Sequence, residues 1–262
     1  MATRSTETPH IGEDLRTALS LAGGIAVLAA IWQAIVVWRD YPPFVLPSPL
    51  LVLQRLASEL VGGTLGWHTQ VTLLEALGGF AIALGVSALL GYPLAHAPRV
   101  ERTIAPLLAA TQAVPVVAIA PLIILWLGAG LQAKVLVAAI VTFFPVLSAI
   151  IVALRGVPPE LIEAARVGGA DRLEVFRFVE LPLALPGVFG GIKSGLALAT
   201  TGAVVGEFVG GRDGLGALIN IARGQFDTPL IFAALTVLAL ITLLFYVAAT
   251  LAERALVGEG WN

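Results

Sequence analysis

Chemistry has few places to start in this chain, which carries 15 Lys+Arg, 17 Asp+Glu and no cysteine in 262 residues. Nine of those charges (Arg155, Glu160, Glu163, Arg166, Asp171, Arg172, Glu174, Arg177 and Glu180) occupy the 26 positions from 155 to 180. The 52 residues before them, Thr103 to Leu154, hold one, Lys134. Elsewhere the groups that could meet a ligand are scattered through apolar stretches. They are the acids Glu75 and Glu207, the neutral hydrogen-bonding residues Thr111, Gln112, Thr200 and Thr201, and the aromatics Trp126, Phe143 and Phe144. Aromatic faces and neutral donors suit a flat heterocycle better than a small oxyanion, which favours positive groups or free helix N-termini. The same residue types also serve plain structure, since Thr and Gln in an apolar helix commonly bond a neighbouring helix and Phe commonly faces lipid. An acid such as Glu75, set well inside an apolar run, normally faces a bundle interior or an aqueous path. Glu207, near the end of another run, also fits a simple interfacial acid.

Other chemistries are disfavoured by spacing. His10, His68 and His96 lie on different segments, which argues against a metal or redox site. Gly190-Gly191-Ile192-Lys193-Ser194 resembles part of a nucleotide loop, but that loop needs glycine immediately before the lysine and Ile192 stands there. Gly210 to Gly216 has its glycines in the wrong order for a dinucleotide fingerprint and reads as an outer turn. No catalytic nucleophile or metal set emerges, and no nucleic-acid partner is expected.

The elements that must position these residues are membrane helices. A hydrophobic fraction of 58% and a mean hydropathy of +0.95 exceed the roughly 45–50% apolar content of soluble domains. A bilayer core of about 30 Å needs about 20 apolar residues in a helix. Thr17–Trp38 and Thr228–Ala252 are free of charge over 22 and 25 residues; Thr69–Ala95 contains Glu75 alone and Leu183–Gly206 contains Lys193 alone. Thr103–Leu154 is too long for one helix and divides near Trp126-Leu127-Gly128-Ala129-Gly130, which makes six spans. None of these runs alternates apolar with polar residues, so the expected class is an all-α integral membrane protein and not a barrel. The first run is too long for a signal peptide's apolar core and has Glu13 and Asp14 before it, so it reads as an uncleaved helix.

With the N-terminus inside, nine arginines (4, 16, 99, 102, 155, 166, 172, 177 and 254) fall on the cytoplasmic side. Arg39, Arg55, Lys134, Arg212 and Arg223 fall outside, which places both termini in the cytoplasm. The expected organisation is a tail 1–16, a first span 17–38, an outer loop 39–67, a five-helix core 68–254 containing the charged loop 155–182, and a tail 255–262. In the outer loop, Leu53, Leu56 and Leu60 recur at helical spacing and predict a short interfacial helix.

The charged loop has legible local structure. Pro158-Pro159 suits a first helical turn, and Leu161, Ala164 and Ala165 fall on one face, with Glu160, Glu163 and Val167 round the other side. Gly168-Gly169 ends that helix. Asp171 with Glu174 predicts a capping box for a second helix, whose stripe is Leu173, Phe176 and Val179 and which Pro182 stops. A small-residue face flanked by charges suits docking into a groove on a cytoplasmic protein.

Glu163-Ala164-Ala165, three residues, Gly169, nine residues, Val179, one residue and Leu181-Pro182 resembles the EAA loop of permease subunits of ATP-binding-cassette importers. Valine stands where that pattern usually has isoleucine, and the resemblance covers about His68 to Arg254. It implies a six-span permease whose loop is a coupling helix seated on an ATPase, with Glu163, Ala164, Ala165, Gly169, Leu181 and Pro182 as coupling residues. It also implies two ATPase subunits binding ATP and Mg, a second permease subunit expected to be another copy of this chain, and an extracytoplasmic binding protein. No cofactor is implied in the chain itself. The subfamily resembled serves sulfonates, taurine and nitrate on one branch, and riboflavin and the hydroxymethylpyrimidine precursor of thiamine on the other. Thr72-Leu73-Leu74-Glu75, Lys134 with Phe143-Phe144-Pro145, and the run Ala203 to Gly210 lean toward the vitamin branch. An ion-coupled secondary transporter is the rival class; it needs its own coupling groups and related halves, and the spans offer Glu75 and no evident repeat.

Overall fold

The computed structural model describes residues 11–113 and 115–257, apart from the side chains of 11–19, 21, 22, 101, 107–109 and 111. Arg4, His10 and the last residues of the expected C-terminal tail, 258–262, lie outside the described residues. All regular structure among the described residues is helical. The order is α1 (Ile11–Arg39), α2 (Pro49–Gly62), α3 (Thr64–His96), α4 (Pro98–Ala113), α5 (Val116–Leu127), α6 (Leu131–Arg155), α7 (Pro159–Val167) and α8 (Arg172–Val175). A π turn (Phe176–Glu180), α9 (Leu181–Gly210), α10 (Leu215–Gly224) and α11 (Thr228–Val257) follow.

Four helical stretches are long and apolar enough to cross a membrane: α3, α6, the continuous Arg172–Gly210 and α11; Gly23–Arg39 of α1 and α5 are shorter apolar helices. All six expected runs are therefore helical, with two corrections. The third is not one helix. Pro115 sits at the N-cap of α5 with φ −60° and ψ 118°, an extended conformation, and its ring nitrogen cannot continue the ladder from α4. The division near Gly128 is present, where φ of +79° ends α5 before α6 begins.

The second correction is at Pro182, which does not stop the loop's second helix. α8 widens into the π turn, where Leu181 N–H donates to Phe176 C=O five residues back, and the helix runs on through Pro182 to Gly210 for 39 residues in all. A proline inside a regular helix loses a bond and pushes on the carbonyl four residues before it; one wider turn relieves that contact.

α6 is the centre of the bundle, with α3 and α9 packed along it. Small residues allow the close approach that helices need in an apolar medium, where burial of apolar surface gives little drive. A Cβ on Gly79 of α3 would lie 2.5 Å from Ala138 Cβ of α6, and one on Gly202 of α9 would lie 2.7 Å from Ala138 Cα. Ala199, Ala203, Ala234 and Ala249 continue the seam between α9 and α11 within the largest apolar cluster.

α2 forms as expected, with Ser48 Oγ accepting from Leu51 N–H at 3.3 Å, and it carries apolar residues on two faces. Val52 is buried and Leu56 packs against the core, while Leu53 and Leu60 are exposed. Arg55 holds the helix to the start of α11 through Asp227 at 2.8 Å.

The α6–α9 seam sets a steric expectation. Gly202→Val should destabilise the chain by about 1–3 kcal/mol or more through overpacking against backbone. Gly85→Ala, where an added Cβ meets nothing within 4 Å, should be neutral or slightly stabilising. Thermal unfolding midpoints of the two variants in detergent check the contrast.

Candidate functional site

Two sets of residues stand at opposite ends of the bundle. At one end is the charged loop. α7 ends in a paired turn in which Gly169 N–H donates to Arg166 C=O and Ala170 N–H to Ala165 C=O, at 3.0 and 3.1 Å. Gly169 has φ +92°, and a Cβ there would meet nothing within 4 Å. Glycine is favoured at this corner by the left-handed backbone and not by crowding. The capping box follows as predicted: Leu173 and Glu174 N–H donate to Asp171 Oδ1, and Asp171 N–H donates to Glu174 Oε2, all at 2.8 Å.

The loop's faces differ from the helical-wheel expectation. Leu161, Glu163 and Ala164 are exposed, but Ala165 is half-buried, and its inward neighbour is Ile162, packed on the cluster of Val157 and Ala184. Val167, expected on the side of Glu160 and Glu163, is exposed as they are. On the second helix the inward residues are Val175, Phe176 and Val179, and Leu173 is exposed because the π turn changes the angular spacing. Leu181 and Pro182 are exposed on the continuous helix.

At the other end is a buried polar cluster. Glu75 of α3 and Glu207 of α9 are both fully buried, and Lys134 of α6 is 4% exposed. Lys134 is thus a core residue and not the outer-loop charge expected, and Glu207 is not an interfacial acid. Lys134 Nζ donates to Glu75 Oε1 at 2.8 Å and to Asp213 C=O at 3.0 Å. Thr72 Oγ donates to Glu207 Oε1 at 2.6 Å.

The cluster also caps α10. Gly214 N–H donates to His68 Nδ1 at 3.0 Å, Leu215 N–H to Thr72 Oγ at 2.8 Å, and Gly216 N–H to Glu207 Oε2 at 2.5 Å. These are the first-turn N–H groups that a helix cannot satisfy itself, and a carboxylate there also meets the positive end of the helix dipole. Gly214, at φ +107°, lies so close to the carboxylate that any Cβ would overlap Glu207. The whole fixes the turn between α9 and α10 to α3 and α6.

The other ligand candidates are not joined to this cluster by hydrogen bonds among the described residues. Thr200 is buried and donates to Leu196 C=O at 3.1 Å; Thr201 is exposed and donates to Ala197 C=O at 3.2 Å. Phe143 and Phe144 are half-buried, and Phe144 lines a cavity of about 120 Å³ with Leu94, Ile104, Ser148 and Arg155. Gln112 and Trp126 are exposed, and the side chain of Thr111 is not among those described. Lys134, Thr72 and His68 join this site without a local motif that marks them; the signal the sequence offers is a lone lysine within 52 otherwise uncharged residues.

Known proteins resemble this chain over most of its length. The family described as "Binding-protein-dependent transport system inner membrane component" matches residues 81–258. The riboflavin transport system permease protein of Chloroflexus aurantiacus is 60% identical over 240 residues, covering 92% of this chain and 90% of that protein. The formylaminopyrimidine transport permease protein of Halalkalibacterium halodurans is 33% identical, over 82% and 85%. Among solved structures, an inward-facing form of the MetNI methionine ABC transporter superposes with a TM-score of 0.62 at 23% identity, covering 76% of this chain and 97% of that chain, which shows a shared fold.

Lys134 decides the stability of the cluster. Lys134→Met leaves two buried carboxylates without their cation and should cost about 3–5 kcal/mol. Adding Glu75→Leu should recover part of that loss, and a double-mutant cycle on unfolding midpoints measures the coupling.

Proposed function

The chain belongs to the family of binding-protein-dependent transport system inner membrane components, and from that membership we propose that it is the permease of an ATP-binding-cassette importer for riboflavin. The observation that carries the machine is the loop: a capped helix with Leu161 and Ala164 exposed, turned by Gly169 into the 39-residue helix of the core. That arrangement suits a docking helix that receives force and passes it on. The solute rests on the riboflavin permease of Chloroflexus aurantiacus, which is far more similar than the formylaminopyrimidine permease. The pyrimidine precursor is the neighbouring alternative. A sulfonate, taurine or nitrate path would gain from a free cation in the spans, and Lys134 is committed to Glu75.

In this proposal two copies of the chain form the pathway and two ATPase subunits bind ATP and Mg. An extracytoplasmic binding protein delivers the solute, and both termini and the 155–182 loop face the cytoplasm. ATP closes the ATPase pair, draws the two α7 helices together and shifts the bundle from inward-facing to outward-facing. No bond in the solute is broken. Glu163, Ala164, Ala165, Gly169, Leu181 and Pro182 form the coupling region. Ala165 acts there from the inner side of α7, and Leu181-Pro182 act within the helix that carries the motion.

Reconstitution with the ATPase and binding protein tests the assignment. Riboflavin uptake should require ATP and survive collapse of the proton gradient; uptake that persists without ATP and fails with the gradient would instead identify a secondary transporter. Excess pyrimidine precursor or taurine should not compete.

Two loop variants separate docking from transmission. Ala164→Trp should insert normally, because the side chain is exposed, while the ATPase no longer copurifies; normal copurification and uptake would sink the docking role. Gly169→Val forces a branched side chain into left-handed backbone at a cost of about 1–2 kcal/mol. It should still assemble but move several-fold less riboflavin per ATP, measured as uptake and hydrolysis in the same vesicles.

A further inference from the structure

One buried polar contact lies where the second helix of the loop meets the end of α3. His96, the last residue of α3, places Nε2 2.9 Å from Glu180 Oε1 and Nδ1 3.0 Å from Tyr92 C=O. Tyr92 C=O can only accept, so Nδ1–H donates to it, and in the imidazolium form Nε2–H donates to Glu180. In that form the contact is a charge-assisted bond to a side chain that is 2% exposed. The second oxygen of Glu180 is buried with no hydrogen-bond partner, which leaves His96 as the hydrogen-bond partner of this side chain among the described residues.

A ring contact reaches the other end of the same turn. Tyr92 lies 4.5 Å from the His96 ring and meets Phe176 edge-on at 4.8 Å. Phe176 and Glu180 are the first and last residues of the π turn, so both of its ends rest on the last turn of α3. Beside the contact is a cavity of about 750 Å³, to which Arg166 of α7 and Asp171 and Arg172 of the second helix contribute its other charged groups. A widened turn is the natural place for a helix to flex, because its regular i→i−4 bonds are missing.

We propose that His96 and Glu180 are positioning residues for coupling: their bond makes the π turn move as one body with α3, so that displacement of α7 reaches the core instead of flexing the turn. The proposal rests on the importer-permease reading. α3 packs on α6 and also supplies Glu75, Thr72 and His68 to the cluster at the far end. Tying the turn to α3 therefore engages the helix that runs the length of the bundle.

The test uses the full complex, with ATPase and binding protein, in vesicles, reading riboflavin uptake and ATP hydrolysis together. Glu180→Leu and His96→Leu should each lower riboflavin moved per ATP by roughly tenfold, the scale of one lost charge-assisted bond, while ATPase subunits still copurify. Glu180→Gln keeps an acceptor for Nε2–H and should regain most of the ratio. The double Leu variant should be no worse than the poorer single variant.

Because the chain has no native cysteine, a His96→Cys/Glu180→Cys pair offers an independent measurement. Its low ratio should rise when a short bifunctional thiol reagent bridges the pair. An unchanged ratio in both Leu variants overturns the proposal. If those variants fail to assemble, the cysteine pair decides: a wild-type ratio before bridging overturns it, and a low ratio restored by bridging upholds it. A wild-type complex without ATP-dependent uptake overturns the importer reading and this proposal together, whereas normal wild-type uptake with unaffected variants overturns this proposal alone.

Discussion

In an apolar surrounding each backbone N–H and C=O has to be satisfied inside its own helix, and an interruption needs a specific replacement. The distinctive features of this chain lie at such interruptions. Pro115 parts α4 from α5. At the loop end, Gly169 closes α7 with two backbone bonds, and Asp171 and Glu174 serve the first turn of the next helix. At the far end the donors that open α10 are taken by His68, Thr72 and Glu207 side chains. Polar side chains are scarce in this sequence, and a large share of the buried ones stand where the ladder stops.

Between the two ends, α3, α6 and α9 behave as one packed slab because glycine and alanine let their backbones come close. Close packing transmits displacement and resists gradual deformation. Two polar sites sit at the turns: the Glu75–Lys134–Glu207 group against the α9–α10 turn, and His96–Glu180 against the π turn. In the proposed mechanism, a bundle driven at the loop end gains from this division into a packed slab and pinned corners.

Composition and run length determined the membrane class and six apolar helical segments, because lipid demands length and apolarity before anything else. Local chemistry determined the loop's corner at Gly169 and its capping box, since those bonds join residues within a few positions of one another. The spaced Glu163-Ala164-Ala165…Gly169…Leu181-Pro182 pattern carried the family for the same reason.

Tertiary structure decided what depends on distant residues. Glu75 meets Lys134 across 59 positions, Thr72 meets Glu207 across 135, and His96 meets Glu180 across 84, separations that no local pattern encodes. Pro182 looked like a terminator because a proline opposes a regular helix; the π turn that carries the chain past it, with Phe176 and Glu180 resting on α3, exists only in the packed bundle. The sequence by itself thus determined that the long apolar runs are helical and where the loop bends, whereas packing decided where some helices break or continue, which faces are inside and which charges are paired.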